Sequence, residues 1–414
     1  MRVALICVGD ELLKGATVNT NMAFIGQSLL GIGIIPQLAL VVPDSRVPLK
    51  NALSSALKDS DLVLTSGGLG PTADDITRDV VAEFLGLPLK RDEPIAQSLR
   101  EFWKKLRREA MPESILSQAN VPEGAQVIPN RTGTAPGLRC FASEKMASGR
   151  PKEIILLPGP PQELNPMFTN EVLPILRGLM ETYLYTEMFT AAGMPETIVE
   201  EKMKPVTSGV EGLSVAWCAS FEGVRIFLAG TDAQLVARKA SEVKALFPQS
   251  VLRPGARSLA DEVSILLREK NCRLATAESC TGGMIAAAIT DLAGSSDIFL
   301  GSVVAYDNSI KRDILGVPAE LLETKGAVSP ECALAMLEGV RSLFKAGAGI
   351  AVTGIAGPGG GSPEKPLGLV VIAVGFGDKS AVREYQFRGG RENIRGRASA
   401  TALNLLRNLI LAQI

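Results

Sequence analysis

The sequence predicts an α/β protein in three parts: a doubly wound N-terminal domain over 1–180, a small α+β module over 181–254, and a second α/β domain over 255–414. Three observations carry this reading. Apolar runs and helical patterns alternate through the first 65 residues, the composition shifts after LPGPPQEL, and Pro254–Gly255 interrupts the chain before alternation resumes.

The elements follow in order. VALICV, Val3 to Val8, is continuously apolar and suits a strand buried on both faces. A helical pattern runs from about Asn19 to Leu30, a strand-like run from Ile34 to Val42, a helix from Val47 to Lys58 and a strand from Asp61 to Thr65. This is βαβαβ, which implies a parallel sheet with right-handed crossovers. Arg91–Glu109 reads as a charged surface helix. Strands are expected near Gln126–Ile128 and Glu153–Leu157, and then a helix ending near Met180. From Tyr183 to Val251 the order is strand, helix, two strands, helix. Beyond Arg257 come an amphipathic helix, the strand CRLATA and a Gly-rich turn into a helix. Strands near Ile298–Tyr306, Gly349–Val352 and Leu369–Phe376 lead to a long helix from Arg391.

Composition narrows the chemistry. The 43 basic and 44 acidic residues leave a net charge of −1, so no basic excess supports general nucleic-acid binding. The absence of histidine excludes Ser-His-Asp and Cys-His catalysis and His-ligated metal, which leaves carboxylates, Lys, Tyr, Cys and water for proton transfer. The six cysteines form no CxxC pair, which argues against a zinc ribbon and for reduced thiols in a cytoplasm. No signal peptide or membrane span is expected, because VALICV runs into Asp10 and Glu11 and the run near Leu29–Val42 is broken by Gly31, Gly33, Pro36 and Gln37.

Two groups of motifs carry candidate chemistry. GGLGPTADDITRD follows a predicted strand, and Gly67, Gly68, Gly70 and Thr72 are placed to cradle a phosphate at a helix start. Asp74 can cap that helix. Asp75 and Asp79, four apart, share a face and could hold a divalent cation; a tight turn with dipole-favoured acids is the plain alternative. GDELLKG, NRTGTAPG and LPGPPQEL are expected at the same rim, Glu163 among them. In the C-terminal part, AESCTGG places Ser279 at a strand-to-helix turn, where the N–H groups of Cys280, Thr281 and Gly282 could form an oxyanion hole or phosphate cradle, with Gly283 a further phosphate-binding candidate. Helix capping is the competing reading. YDNSIK supplies Tyr306 and Lys311 as partners for a serine nucleophile. TGIAGPGGG brings Thr353, Gly354, Gly357 and Gly359 after another strand, and Arg391 and Arg395 share a helix face suited to a phosphate.

Together these motifs, in this order over essentially the whole chain, resemble the CinA family, the competence/damage-inducible protein A. KGAVS and EKPLG belong to the same resemblance. It implies an N-terminal domain similar to molybdopterin-binding domains and associated with metal-dependent hydrolysis of ADP-ribose. It also implies a KH-like middle module, and a C-terminal domain similar to nicotinamide mononucleotide deamidases. Ser279 and Lys311 map onto that family's dyad and Tyr306 onto its nearby tyrosine. Asp74, Asp75 and Asp79 map onto N-terminal metal ligands, with Mg²⁺ expected there and no cofactor for the deamidase. The middle module has only GVEG, Gly209–Gly212, where a KH clamp needs a phosphate-holding GXXG loop, so direct nucleic-acid binding is not expected. The expected partners are small nucleotides and a second copy of the chain, with no membrane. A non-catalytic role in competence and molybdopterin binding are the alternative readings. Cutting near Pro254 is expected to leave an autonomous deamidase.

Overall fold

A computed structural model of the chain describes residues 1–106, 111–145, 149, 151–180 and 184–412. They form two compact units, 1–186 with 229–233 and 187–228 with 234–414.

The first unit runs β1 (Val3–Val8), α1 (Asp10–Leu13), α2 (Thr20–Leu30), β2 (Leu38–Val42), α3 (Arg46–Asp59), β3 (Leu62–Ser66), α4 (Thr77–Leu85), β4 (Leu89–Arg91) and α5 (Glu93–Leu106). It continues through β5 (Asn120–Pro122), β6 (Gln126–Ile128), β7 (Gly137–Lys145), β8 (Pro151–Leu157), α6 (Pro161–Met167) and α7 (Leu173–Leu179). The end of the expected helix Arg91–Glu109 lies outside the described residues. The main sheet has the order β2-β1-β3-β8-β7-β6. The first four strands are parallel, as expected for the opening βαβαβ, while β7 pairs antiparallel with both β8 and β6. Helices cover both faces, which explains the unbroken apolar run of β1. Ala4, Ile6 and Val8 pack with Leu49 and Leu53 of α3, and Val3 and Leu5 pack with Ile25 and Leu29 of α2. Asn19 caps α2 by accepting from the Met22 N–H.

The middle module runs β9 (Tyr185–Ala192), α8 (Glu196–Thr207), β10 (Leu213–Ser220), β11 (Gly223–Gly230) and α9 (Ala233–Ala245), the order the sequence implied. Its sheet is ordered β10-β11-β9, over a small core around Met203, Ile226 and Val243. Tyr183, where this module was expected to start, lies outside the described residues.

The C-terminal part runs α10 (Leu259–Glu269), β12 (Leu274–Glu278), α11 (Met284–Thr290), β13 (Phe299–Val304), α12 (Asn308–Asp313) and α13 (Ala319–Thr324). Then come α14 (Pro330–Phe344), β14 (Ala348–Gly354), β15 (Leu369–Phe376), β16 (Lys379–Gln386) and α15 (Arg391–Ile410). The sheet order is β13-β12-β14-β15-β16. β12 pairs in parallel with both β13 and β14, and β15 pairs antiparallel with both β14 and β16. α10 and α15 cover one face and α14 the other.

One buried cation ties the middle module to this domain. Arg407 of α15 is 2% exposed and donates to Glu262 Oε2 at 2.7 Å, to the Gln249 carbonyl at 2.8 Å and to the Val251 carbonyl at 3.1 Å. Ala192 and Leu252 also enter the C-terminal core. The second unit is thus held together across Pro254 by a charged clamp and shared apolar packing.

Candidate active sites

The C-terminal site forms where three parallel strands end. Ser279 extends β12, its N–H donating to the Val352 carbonyl of β14 at 2.9 Å, and it is 8% exposed. Tyr306 lies two residues beyond β13, whose Val304 pairs with Glu278. The Gly-rich loop follows β14. The parallel sheet therefore delivers the three C-terminal motifs to one rim, and the first turn of α15 closes it.

Lys311 is the most unusual side chain at this rim. α12, capped by Asp307 accepting from the Ser309 N–H, turns it inward until it is 2% exposed. Its Nζ donates to the Tyr306 carbonyl at 3.1 Å. Burial holds its pKa below the ordinary lysine value, only partly opposed by Cys332, Asp307, Cys280 and Tyr306. The Tyr306 side chain is 62% exposed, and its phenol oxygen accepts from Arg391 Nη2 at 3.1 Å. It is the Tyr306 carbonyl, and not the phenol, that holds Lys311. Cys280 is buried and its thiol is pushed up to about 11 by desolvation, which removes it as a competing nucleophile.

The expected phosphate cradle at α11 is corrected by a residue that the sequence reading passed over. The fully buried Glu278 carboxylate accepts from the N–H groups of Gly283 at 3.0 Å, Ile285 at 3.1 Å and Ala286 at 2.9 Å. The Gly282 N–H donates to the Ser279 carbonyl at 3.1 Å. The positive helix end is already neutralised from inside the protein, so Gly282 and Gly283 cannot offer these amides to a substrate. Their positive φ angles, 62° and 92°, shape the turn instead. Arg395 is corrected likewise: its guanidinium donates to the carbonyls of Cys280 at 3.0 Å and Thr281 at 2.9 Å. Thr281 is fully buried, and its hydroxyl has no hydrogen-bond partner among the described residues. Thr353 donates to the Ala327 carbonyl at 2.8 Å, and Gly354 lies within β14, close against β15. The residues left at the mouth are Arg391, Tyr306 and the loop at Gly357 and Gly359, where Arg391 Nη1 meets the Gly357 carbonyl at 2.7 Å.

The N-terminal site is a cavity of 480 Å³ at the ends of β1, β3 and β8. Gly67, Gly68 and Gly70 line it as expected. Gly67 has φ 102°, and a Cβ there would strike the Val8 carbonyl. Five carboxylates face the cavity, from Glu11, Asp44, Asp74, Asp75 and Glu163, and among the described residues its lining contains no Lys or Arg. Burial, followed by repulsion from Glu11, Asp10 and Asp74, raises the pKa of Asp44. Two of the acid assignments change. α4 begins only at Thr77, so Asp74 does not cap it, and Asp75 and Asp79 do not share a helix face. Asp79 pairs with Arg78 at 3.1 Å and is not part of the lining. Thr72 is committed to Asp75, through its N–H at 2.9 Å and its hydroxyl at 2.5 Å. Among the described residues no three acidic or thiol side chains converge closely enough to hold a metal ion by themselves. The Gln118 Oε1, on a side chain that lines the cavity and is 3% exposed, has no hydrogen-bond partner among the described residues.

Among the described residues no helix is long and apolar enough to cross a membrane. Residues 256–410 match the family profile described as "CinA C-terminal domain". Residues 4–178 match the one described as "Probable molybdopterin binding domain". A CinA-like protein from Kosmotoga olearia is 38% identical over 99% of each chain. A second CinA-like protein, from Fervidobacterium nodosum, is 39% identical over 99% of this chain and 98% of its own. A solved structure of the competence/damage inducible protein CihA from Agrobacterium tumefaciens is 44% identical over 36% of this chain and 91% of its own, with a TM-score of 0.35.

Proposed function

The chain belongs to the CinA family, and on that premise we propose that its C-terminal domain hydrolyses the carboxamide of nicotinamide mononucleotide, giving nicotinate mononucleotide and ammonia. The observation that carries this reading is Lys311, a lysine withdrawn from water beside the turn of Ser279 and kept below its ordinary pKa by burial. In a protein without histidine such a lysine is the natural base for a serine. Lys311 takes the Ser279 proton as Oγ attacks the amide carbon. The same proton passes to the departing nitrogen as the C–N bond breaks and ammonia leaves. Water, deprotonated by Lys311, then attacks the acyl-serine ester, and Lys311 returns that proton to the leaving Ser279 Oγ as the C–O bond breaks and the acid is released. Arg391 and Tyr306 at the mouth bind the phosphate, since the amides of α11 are already engaged by Glu278. The test is ammonia release from nicotinamide mononucleotide by the purified chain. Release unaffected by Ser279→Ala would overturn the assignment.

The N-terminal domain we read as hydrolysing ADP-ribose-type pyrophosphates with a divalent cation. Five carboxylates without a Lys or Arg in the cavity lining support this, because a diphosphate can enter such a cavity only if cations come with it. Asp44, Asp74, Asp75 and Glu163 line the cavity without three of them converging on one point, so the ion would be shared between one or two of these carboxylates and the phosphate oxygens it enters with, an all-oxygen donor set that suits Mg²⁺. When bound, the ion polarises the pyrophosphate towards water. ADP-ribose turnover with and without Mg²⁺ tests this, and full turnover in excess chelator would sink it.

A further inference from the structure

A second cavity of the first unit, 430 Å³ in volume, lies on the other side of the loop 130–136 from the acidic one. The two share Thr134 in their linings. Asn130 fixes this party wall: it donates to the Ala135 carbonyl at 2.8 Å and to Glu163 Oε2 at 2.7 Å, and it accepts from the Gly133 N–H at 2.8 Å. The wall is therefore pinned to an acid of the first cavity.

The second cavity has the opposite chemistry. Ile95, Leu99 and Phe102 of α5 face Val127 and three prolines, Pro94, Pro129 and Pro136, and among the described residues its lining contains no carboxylate. Phe102 and Val127 are 40% and 39% exposed, so they leave an aromatic face and an aliphatic face open. Arg131, the one charge in the lining among the described residues, stands at the rim with its side chain 78% exposed, paired only loosely with Glu171 at 3.3 Å. A largely apolar space with an aromatic wall and a guanidinium at the lip fits a ring that stacks and carries hydrogen-bond acceptors.

We propose that this cavity is the base-binding half of one bipartite site, taking the purine ring of a nucleoside diphosphate derivative whose phosphates occupy the acidic cavity across Thr134. This rests on the N-terminal reading given above. One ligand satisfies both chambers. Its charged end needs the carboxylates and their cation, and its ring needs Phe102 and Val127. The loop 130–136 sets the separation between them. A bare pyrophosphate or a sugar phosphate would leave the apolar chamber wet, so the cavity selects nucleotides over simpler phosphates.

The test separates ring binding from hydrolysis. Binding of adenosine and of AMP to the full chain is measured by calorimetry without metal, and ADP-ribose turnover is measured separately with Mg²⁺. Saturable adenosine binding is expected. Ser98→Trp, which fills the chamber from an exposed position on α5, should weaken it at least tenfold, and Phe102→Ser by a similar factor. In turnover both variants should raise KM for ADP-ribose with little change in kcat. Adenosine binding with no hydrolysis of any diphosphate would sink the pyrophosphatase reading and leave the ring site standing. No adenosine binding, or binding that Ser98→Trp leaves intact, overturns the proposal. So does a Phe102→Ser chain that changes only its oligomeric state, since the cavity is then an interface between copies.

Discussion

Lys311 combines two properties that pull against each other: it is charged-capable and it is buried. Its folded pKa lies below the ordinary 10.5, so between those two values the unfolded chain binds more protons than the folded one, and this group's contribution to stability rises with pH there. Below that window the protonated ammonium is held against its desolvation. We expect Lys311→Met to stabilise the chain at neutral pH by about 1 kcal/mol in denaturant titration while removing most of kcat. The kcat of the unaltered enzyme should climb with pH to a midpoint below 10.5, and Lys311→Arg should abolish it, because arginine stays protonated. Ser279→Ala should match Lys311→Met in kcat, and the double variant should be little worse than either, since the two act as one unit. Cys280→Ser should keep near-normal kcat, its thiol being pushed up to about 11. Loss of activity there with retention in Ser279→Ala would reverse the assignment.

The turn between β12 and α11 is fixed from both ends, by Glu278 from within and Arg395 from α15. These are positioning residues. Glu278→Gln removes the charge facing the helix end and sets an amide donor against backbone donors, so kcat should fall at least tenfold with KM little changed. Arg395→Ala should lower kcat similarly, whereas Arg391→Ala should mainly raise KM; equal effects on KM from the two arginines would refute this division. Part of this organisation was legible in the sequence. Strict periodicity revealed the opening βαβαβ pattern and the order of the middle module, and the motif turns fell at strand ends. The antiparallel strands β7 and β16 were missed because GLRCFASEK and KSAVREYQ mix polar and apolar residues without a clean buried face. α14 was missed although Ser329, whose side chain accepts from the Cys332 N–H, and Pro330 mark its start. Nor could the sequence show that Glu278 points forward into the helix it precedes, or that Arg395 reaches back across 114 positions to Thr281. Asp79 failed for a related reason: spacing places acids on a face only if the helix has already begun, and α4 begins too late.

At the scale of the molecule, the clamp at Arg407 moves the point at which the chain can be divided. Cutting near Pro254 removes the Gln249 and Val251 carbonyls from a buried guanidinium and strips Ala192 and Leu252 from the core. Residues 187–414 should therefore outlast 257–414 in thermal unfolding by about 2 kcal/mol or more, with the same kcat per folded molecule. Equal melting temperatures would show that the clamp contributes nothing. α15 also carries, on one rod, the arginine at the mouth, the arginine behind the turn of Ser279 and the arginine of the clamp. Each must point in its own direction at once. Each residue of an α-helix advances it by about 1.5 Å and turns it by about 100°. Deleting a single residue between Arg395 and Arg407, even a solvent-facing one, would twist one anchor out of phase with the other. The helix could stay intact and the composition nearly unchanged, yet the site and the clamp could no longer both be engaged. Length, more than sequence, is what the segment between these two arginines must preserve.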